Sequence, residues 1–329
     1  MDRDGYEHEF IDRIIEQVLR NIKPIALPVG HYLVGLEHQK QHVTSLLNIG
    51  FDDTIHMIGI FGIGGIGKTT LALEVYNSIV NQFECSCFLE KVRENADKNG
   101  LIYLQKILLS QIFGDKTTDI SNVIQGTLIL KKRLSQKKVL LLLDDVDKEE
   151  QLKAIAESSD WFGPGSRVII TTRNTNLLTC RGVERTYEVK RLNNEDAFDL
   201  LGWKVLKNFY SPSYKDVLLE QKYGRELDVN KSRRLKNVKN DQGLLAYANV
   251  LERVVAYASG HPLALEVMGS HFSNKTIEQC NDALDRYERV PHNMILMTLQ
   301  LSYDSLQEEE KIVFLDIACC FIGWKLTRV

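Results

Sequence analysis

Residues 55–70 read IHMIGIFGIGGIGKTT, an apolar run followed by a glycine-rich turn and then by Lys68-Thr69-Thr70. The segment Gly62–Thr69 matches G-x-x-x-x-G-K-[ST], the phosphate-binding P-loop. Glycines let the backbone turn tightly and point successive N–H groups at one anion, and the helix that begins near Lys68 adds its positive dipole end. In such a loop the lysine supplies a mobile cation for the terminal phosphates, and the hydroxyl of Thr69 supplies a ligand for Mg²⁺.

The same glycines admit a second interpretation, a dinucleotide-binding loop. Three of them are spaced G-x-G-x-x-G, and Glu90 lies roughly where such a site places its ribose-binding acid. The segment Lys137–Asp145 separates the two interpretations, because it is an apolar run that ends in Asp144 and Asp145. Mg²⁺ between phosphate oxygens needs a hard anionic oxygen beside it, whereas a dehydrogenase does not need this pair. The P-loop is favoured, and a dinucleotide-dependent oxidoreductase is the minor alternative.

Apolar runs alternate with helical patterns around this motif. The predicted strands are Ile55–Phe61, Ser86–Val92, the run ending at Asp144-Asp145, Ser166–Arg173 and Tyr187–Leu192. The predicted helices are His38–Leu47, the segment after the P-loop, Leu101–Phe113, Leu128–Leu134 and Asp147–Ile155. This alternation predicts an α/β fold, a parallel sheet with helices on both faces. Ligands of such sheets lie beyond the carboxyl ends of the strands, where the P-loop, the two acids and Arg173 are all predicted to meet.

The chemistry of these side chains suggests their roles. Asp144 is expected to hold Mg²⁺ together with Thr69, and Asp145 to polarise an attacking water. Arg173 is expected to reach the γ-phosphate. Two plainer interpretations stay open. Asp145 is alternatively a solvated loop acid or a structural hydrogen-bond acceptor, and Arg173 alternatively forms a surface salt bridge.

Composition sets modest limits on function. The 329 residues carry a formal charge of −3 spread over interspersed acids and bases, so nucleic acid is not the expected partner. No signal peptide and no run long enough to span a membrane is recognised, so no membrane association is expected. The six cysteines lack zinc spacing and are expected to be reduced thiols of a cytoplasmic protein.

Six ordered runs together resemble the NB-ARC nucleotide-binding module of plant intracellular immune receptors. Within that family they are similar to the class with an N-terminal TIR domain and C-terminal leucine-rich repeats, for which Asp147 is typical. The runs are 62–70, 88–94 (FLEKVRE), 141–147 (LLLDDVD), 165–173 (GSRVIITTR), 260–265 (GHPLAL) and 314–321 (FLDIACCF). The resemblance covers about Tyr6 to Gly323.

The resemblance implies a defence-signalling switch that holds ADP at rest, exchanges it for ATP and resets by slow hydrolysis. It implies a weak ATPase with Mg²⁺, in which Asp144 and Asp145 handle metal and water and Arg173 senses phosphate. Pro262 is implied to contact the adenine side, Val34 and Gly35 to border the base, and His261 replaces a leucine common in the family. The implied phosphate-binding residues are Gly62, Gly64, Gly65, Gly67, Lys68, Thr69 and Thr70.

The resemblance also implies a domain order. Residues 1–30, with the predicted helix Glu9–Ile22, correspond to a linker after a TIR domain that is absent here, so no NAD⁺ cleavage is expected. Residues 31–205 form the nucleotide-binding domain, 206–292 a helical subdomain and 293–329 the start of a winged-helix subdomain. The last part contains the predicted helices Met294–Leu306 and Glu308–Phe321. The family's Met-His-Asp run lies beyond Val329, so a weakened closed state is expected.

Residues 219–252 interrupt the resemblance. Their basic cluster Lys231–Lys239 is typical of a nucleic-acid or nuclear-import patch, although a solvated loop or translated intron is the favoured interpretation. A cytoplasmic location is therefore expected, with the nucleus as an additional candidate location. A further functional alternative is a truncated decoy fragment that pairs with full-length receptors or with itself instead of switching.

Overall fold

The computed structural model of the protein describes residues 26–30, 33–50, 54–115, 117–206, 242–289, 303, 306 and 308–320. The predicted helix Glu9–Ile22, the basic cluster Lys231–Lys239 and nearly all of the predicted helix Met294–Leu306 lie outside this part. The described residues form two compact units. The first contains residues 26–30, 38–50, 54–61, 68–115 and 117–188, and the second contains residues 33–37, 62–67 and the described residues from 189 onward.

The first unit alternates strands with helices, as the sequence predicts. Its strands are β1 (His56–Phe61), β2 (Cys85–Leu89), β3 (Val139–Val146), β4 (Arg167–Thr172) and β5 (Arg185–Glu188). Its helices are α1 (Glu37–Leu47), α2 (Lys68–Ile79), α3 (Val92–Asn99), α4 (Leu101–Phe113), α5 (Val123–Leu134), α6 (Glu149–Ile155) and α7 (Thr175–Cys180). Short 3₁₀ turns at Val80–Gln82 and Ser159–Trp161 complete it.

The five strands form one sheet in the order β2-β3-β4-β1-β5, and every neighbouring pair is parallel. All six residues of β4 and the first six residues of β3 are buried. Since successive residues of a strand point to opposite faces, both faces of the sheet are covered. The predicted α/β class is confirmed.

Several element boundaries differ from the predicted ones for local reasons. β2 ends at Leu89, because Lys91 adopts a left-handed φ of +50° and α3 begins directly after it. α5 begins at Val123, well before the predicted start at Leu128, because the side chain of Asn122 caps it by accepting a hydrogen bond from the backbone N–H of Gln125.

Two arginines of the sheet bind the carbonyl end of α1. Arg167 is 1% exposed, and its guanidinium donates to the carbonyl oxygens of Leu47 (2.6 Å), Asn48 (2.8 Å) and Thr54 (2.6 Å). Arg185 donates to the carbonyl oxygen of Leu46, the residue before Leu47, at 2.6 Å. The last carbonyls of a helix have no intrahelical partner and carry its negative dipole end, so these cations satisfy them and fix α1 to the sheet.

The second unit is helical. Its longer helices are α8 (Asn194–Leu206), α9 (Gln242–Ala258), α10 (Pro262–Phe272), α11 (Ile277–Arg289) and α12 (Glu308–Cys320). The first four share one core, whose fully buried members include Ala197, Leu201, Leu251, Val254, Leu265, Met268, Phe272 and Leu284. α8 thus belongs with the helices by its packing, although the predicted domain boundary lies at residue 205.

α9 also bears on the predicted insertion. The C-terminal part of the predicted insertion, residues 242–252, forms one continuous helix with residues 253–258. Val250 and Leu251 are buried in the core of the second unit. These residues therefore contribute to packing, whereas residues 219–241 lie outside the described part. In the described part of the chain, no helix has the length and apolar character needed to cross a membrane.

Replacing Arg167 by methionine tests the attachment of α1. Arg167→Met leaves buried carbonyls without their donors, and we expect the free energy of unfolding to fall by about 3 kcal/mol. The measurement is urea unfolding followed by circular dichroism. As a control, Lys132→Met changes an exposed cation of α5 and is expected to shift stability by no more than about 0.5 kcal/mol. Equal stability of the two variants would contradict this role of Arg167.

Candidate functional site

Asp144 joins three elements at the carboxyl edge of the sheet. It lies near the end of β3 and is only 4% exposed. Its Oδ1 accepts a hydrogen bond from the hydroxyl of Thr69 at 2.6 Å and another from the hydroxyl of Thr171 at 2.7 Å. Thr69 is in the first turn of α2 and Thr171 is in β4. One buried carboxylate therefore brings the start of the P-loop helix to the strand ends.

Lys68, the first residue of α2, is buried in the same region. Burial is the main cause that lowers its pKa from the ordinary 10.5 to about 8, and the nearby Arg173 guanidinium lowers it further. The carboxylates of Asp145 and Asp144 act in the opposite direction. A buried lysine whose ammonium is disfavoured gains most from an added anion, so the surroundings of Lys68 suit a phosphate.

Asp145 is held in an unusual conformation. Its φ is +53°, a left-handed value that is uncommon for a residue with a side chain, and the register between β3 and β4 shifts between Leu143 and Val146. The backbone N–H of Asp145 donates to the hydroxyl of Thr171 at 2.8 Å. This bulge turns the carboxylate of Asp145 away from the regular ladder, as bulges near functional sites commonly do.

Two arginines face the carboxylate of Asp145. Arg93 Nη2 lies 2.8 Å from Oδ2, and Arg173 Nε lies 3.5 Å from Oδ1. Arg173 directly follows β4, one residue beyond the end of the strand that was predicted to include it, but Arg93 in the second position of α3 was not singled out from the sequence. The only signal available was its place in the FLEKVRE run at the carboxyl end of β2. With two cationic partners, Asp145 is not a solvated loop acid.

The glycine turn, residues 62–67, belongs to the second unit. The carbonyl of Gly64 lies 3.0 Å from Nε2 of His261, and the carbonyl of Gly65 accepts from the backbone N–H of Leu263 at 3.2 Å. Because Nδ1 of His261 accepts from the N–H of Ala264, Nε2 carries the proton and donates to Gly64. The histidine at the family's usual leucine position thus binds the P-loop backbone directly.

Gly65 shows why a side chain is excluded from this turn. Its φ is +74°, and a Cβ built on it would lie 2.6 Å from the Cβ of Leu263 and 2.9 Å from Cε1 of His261. Both the left-handed backbone and the close approach therefore require glycine. Gly62 and Gly67 also have positive φ values, of +149° and +102°.

The remaining predicted site residues are divided between the two units: Thr70 belongs to the first, and Val34, Gly35 and Pro262 belong to the second. Pro262 is the first residue of α10, directly between the two residues that bond the glycine turn. Val34 packs against the core of the second unit, and Gly35, at φ +69°, lies close to the carboxylate of Asp196. Thr70 follows Thr69 in α2. Contacts of Val34, Gly35 and Pro262 with a base stay predictions.

The residues fit a magnesium-bound phosphate rather than a metal site made by protein alone. A threonine hydroxyl and a carboxylate oxygen only 2.6 Å apart are the hard oxygen ligands that Mg²⁺ prefers. Within the described ranges, no group of three or more His, Cys, Asp or Glu side chains could hold a metal. Mg²⁺ is commonly held by one or two protein oxygens together with substrate phosphates, so this small donor set fits it.

Comparisons with known proteins identify the family of the chain. A family model described as the NB-ARC domain matches residues 37–210, which include Lys68, both acids and both arginines. Disease resistance protein RUN1 of Vitis rotundifolia is 37% identical over 322 residues, which cover 98% of this chain and 22% of that protein. TMV resistance protein N of Nicotiana glutinosa is 32% identical over 329 residues, which cover 98% of this chain and 25% of that protein. The chain thus spans a fifth to a quarter of the length of these relatives.

A similarity to solved structures is also found. The structure of Drosophila ORC bound to DNA aligns with 94% of this chain and 73% of that chain, with a TM-score of 0.47 and 15% identity. A similarity of that degree carries no information about function.

The lowered pKa of Lys68 predicts how stability depends on pH. Above about pH 8 the folded chain loses the proton of Lys68, whereas the unfolded chain keeps it to about pH 10. The unfolded state then binds more protons, so the free energy of unfolding rises with pH in this window. Between about pH 7.5 and 9.5, we expect the stability of the wild type relative to Lys68→Met to rise by about 2 kcal/mol.

Urea unfolding of both proteins at the two pH values measures this difference, since all other titrating groups are common to them. Lys132→Met, which removes an exposed lysine, is the matched control and is expected to follow the wild type. An identical pH dependence in the wild type and in Lys68→Met would show that the pKa of Lys68 is not lowered.

Proposed function

The chain belongs to the NB-ARC family, and on this premise we propose that it is an ADP- and ATP-binding switch module of a plant disease-resistance protein. In this proposal it rests with ADP, signals with ATP and returns by slow hydrolysis. The observation that carries it is the hydrogen bond from Thr69 to the buried carboxylate of Asp144, beside a buried Lys68. Together these residues offer a cation and two hard oxygens at the carboxyl edge of a parallel sheet, where nucleotides bind.

Each residue has a separate role in binding. The ammonium of Lys68 neutralises the terminal phosphates, and the glycine turn presents its backbone N–H groups to them. The hydroxyl of Thr69 and the carboxylate of Asp144 hold Mg²⁺, which when bound neutralises the charge on the phosphate oxygens. Thr171 keeps Asp144 in place through its 2.7 Å hydrogen bond.

Two further residues distinguish ATP from ADP in this proposal. The guanidinium of Arg173 lies beside Asp145 and is the group proposed to bind the γ-phosphate. Asp145 is the acid proposed to orient water for hydrolysis. Val34, Gly35 and Pro262 are proposed to border the base, as the family resemblance implies.

The defence role itself is proposed from the relatives. RUN1 and the N protein are resistance proteins by name, and this chain matches only a fifth to a quarter of their length. We propose a cytoplasmic location that extends to the nucleus, and full-length receptors or a second copy of this chain as partners.

One observation favours a second function, pairing without switching. Four consecutive apolar residues of α12 are about half exposed, namely Ile312, Val313, Phe314 and Leu315. Exposed apolar clusters commonly mark protein interfaces. A chain that pairs with receptors but binds no nucleotide would support this function over the switch.

Removing the charge of Lys68 tests the proposed site. Lys68→Ala is expected to weaken ADP binding about tenfold to a hundredfold, equivalent to ~1.5–3 kcal/mol, because it removes a charge-assisted contact to phosphate. Isothermal titration calorimetry measures the affinity. Lys132→Ala is the control for loss of a surface charge, and its ADP affinity is expected to match that of the wild type. Unchanged affinity of Lys68→Ala would remove Lys68 from the site.

A further inference from the structure

The pairing of Arg93 with Asp145 is the starting observation. Nη2 of Arg93 lies 2.8 Å from Oδ2 of Asp145, which is within hydrogen-bonding distance, and both side chains are 22% exposed. The other oxygen of the carboxylate, Oδ1, faces Arg173 at 3.5 Å. Each oxygen of Asp145 is therefore directed at a guanidinium, and the closer contact is the one with Arg93.

This arrangement conflicts with the proposed role of Asp145. A general base must accept a hydrogen bond from the water whose proton it takes, at about 2.6–3.2 Å. The guanidinium of Arg93 lies 2.8 Å from Oδ2 and so occupies one side of this oxygen. A water that approaches Oδ2 from that side competes with Arg93.

We propose that Arg93 is a brake on ATP hydrolysis, a positioning residue that holds the carboxylate of Asp145 away from water and so sets the lifetime of the ATP state. The inference rests on the proposed nucleotide switch and adds the residue that makes its hydrolysis slow. Arg93 acts through Asp145 and is not itself required for binding the nucleotide.

Arg93 comes from a different element than the binding residues. It lies in α3, which follows β2 along the chain, whereas Lys68 and Thr69 begin α2 and Arg173 follows β4. Lys68, Arg93 and Arg173 lie among three carboxylates, those of Asp144, Asp145 and Asp147. Removing Arg93 leaves Lys68 and Arg173 in place for phosphate.

The reaction on which the brake acts is hydrolysis of the terminal anhydride. The water oxygen forms a bond to the γ-phosphorus, and the bond from that phosphorus to the bridging oxygen breaks with its electron pair staying on ADP. The water proton passes to Asp145 and from there to the released phosphate or to solvent. Only the proton transfer depends on whether Oδ2 of Asp145 is available.

The experiment compares single-turnover ATP hydrolysis and nucleotide affinity in the full chain. Arg93→Gln is expected to hydrolyse bound ATP about fivefold faster than the wild type, a factor typical of losing one partly exposed ion pair. Its affinities for ADP and ATP are expected to stay within about twofold of the wild type. Arg93→Lys keeps a cation beside Asp145 and is expected to stay slow.

Two further variants make the result specific. Lys98→Gln removes a cation of the same helix that pairs with Glu94 instead, and its hydrolysis rate is expected to match the wild type. Combining Arg93→Gln with Asp145→Asn is expected to give the slow rate of Asp145→Asn alone, because the brake acts only through that carboxylate. If Arg93→Gln does not fold, Arg93→Met replaces it, with the same expected rates.

The outcomes distinguish the inference from the proposed function. A folded Arg93 variant that binds ATP like the wild type but hydrolyses it at the same or a lower rate overturns the brake and leaves the nucleotide switch standing. A wild-type chain that binds neither ADP nor ATP overturns both. Faster hydrolysis that persists in the double variant would also overturn the brake, since it would not act through Asp145.

Discussion

The hydrogen bond from the hydroxyl of Thr69 to the carboxylate of Asp144 is the contact on which the site depends. Asp144 is buried, and burying a carboxylate is unfavourable unless donors surround it. Thr69 and Thr171 supply these donors from α2 and β4, so the need to satisfy one acid fixes a helix start and two strand ends together. The hydroxyl of Thr69 and the carboxylate of Asp144 are also the hard oxygen ligands that Mg²⁺ prefers, so the contact that stabilises the buried acid brings two suitable ligands together.

Around this contact the chain concentrates positive charge. The pKa of Lys68 is lowered mainly by burial and next by Arg173, which means that these surroundings disfavour its ammonium. An anion such as a phosphate relieves that cost, and binding then stabilises the fold by mass action. The carboxylate of Asp145 partly neutralises the positive charge through its ion pairs with Arg93 and Arg173. The stability of this region and the proposed binding and hydrolysis of a nucleotide therefore depend on one set of side chains.

The sequence predicts the parts of this arrangement that follow from local pattern. The glycine turn, the apolar run ending in Asp144-Asp145 and the fourth strand before Arg173 are each readable from a few neighbouring residues, and parallel pairing then places their ends at one edge. The contacts that join distant segments are not readable in this way. Arg93 reaches Asp145 from a different element of the chain, and His261 reaches Gly64 across 197 positions. Arg167 has the appearance of an ordinary strand residue, although its guanidinium binds the end of α1. Periodicity shows which face of an element is buried, but it does not identify the polar group that a side chain on that face will bind.

The identity of the small molecule that purifies with the chain tests the central claim most directly. The wild-type protein is expressed, purified without added nucleotide and extracted with acid, and the released compound is identified by chromatography and mass spectrometry. The account predicts ADP in nearly stoichiometric amount, because the buried cation and the paired oxygens retain a phosphate-bearing ligand. A folded chain that releases no adenine nucleotide and does not bind added ADP, or one that releases a nicotinamide dinucleotide instead, would contradict it.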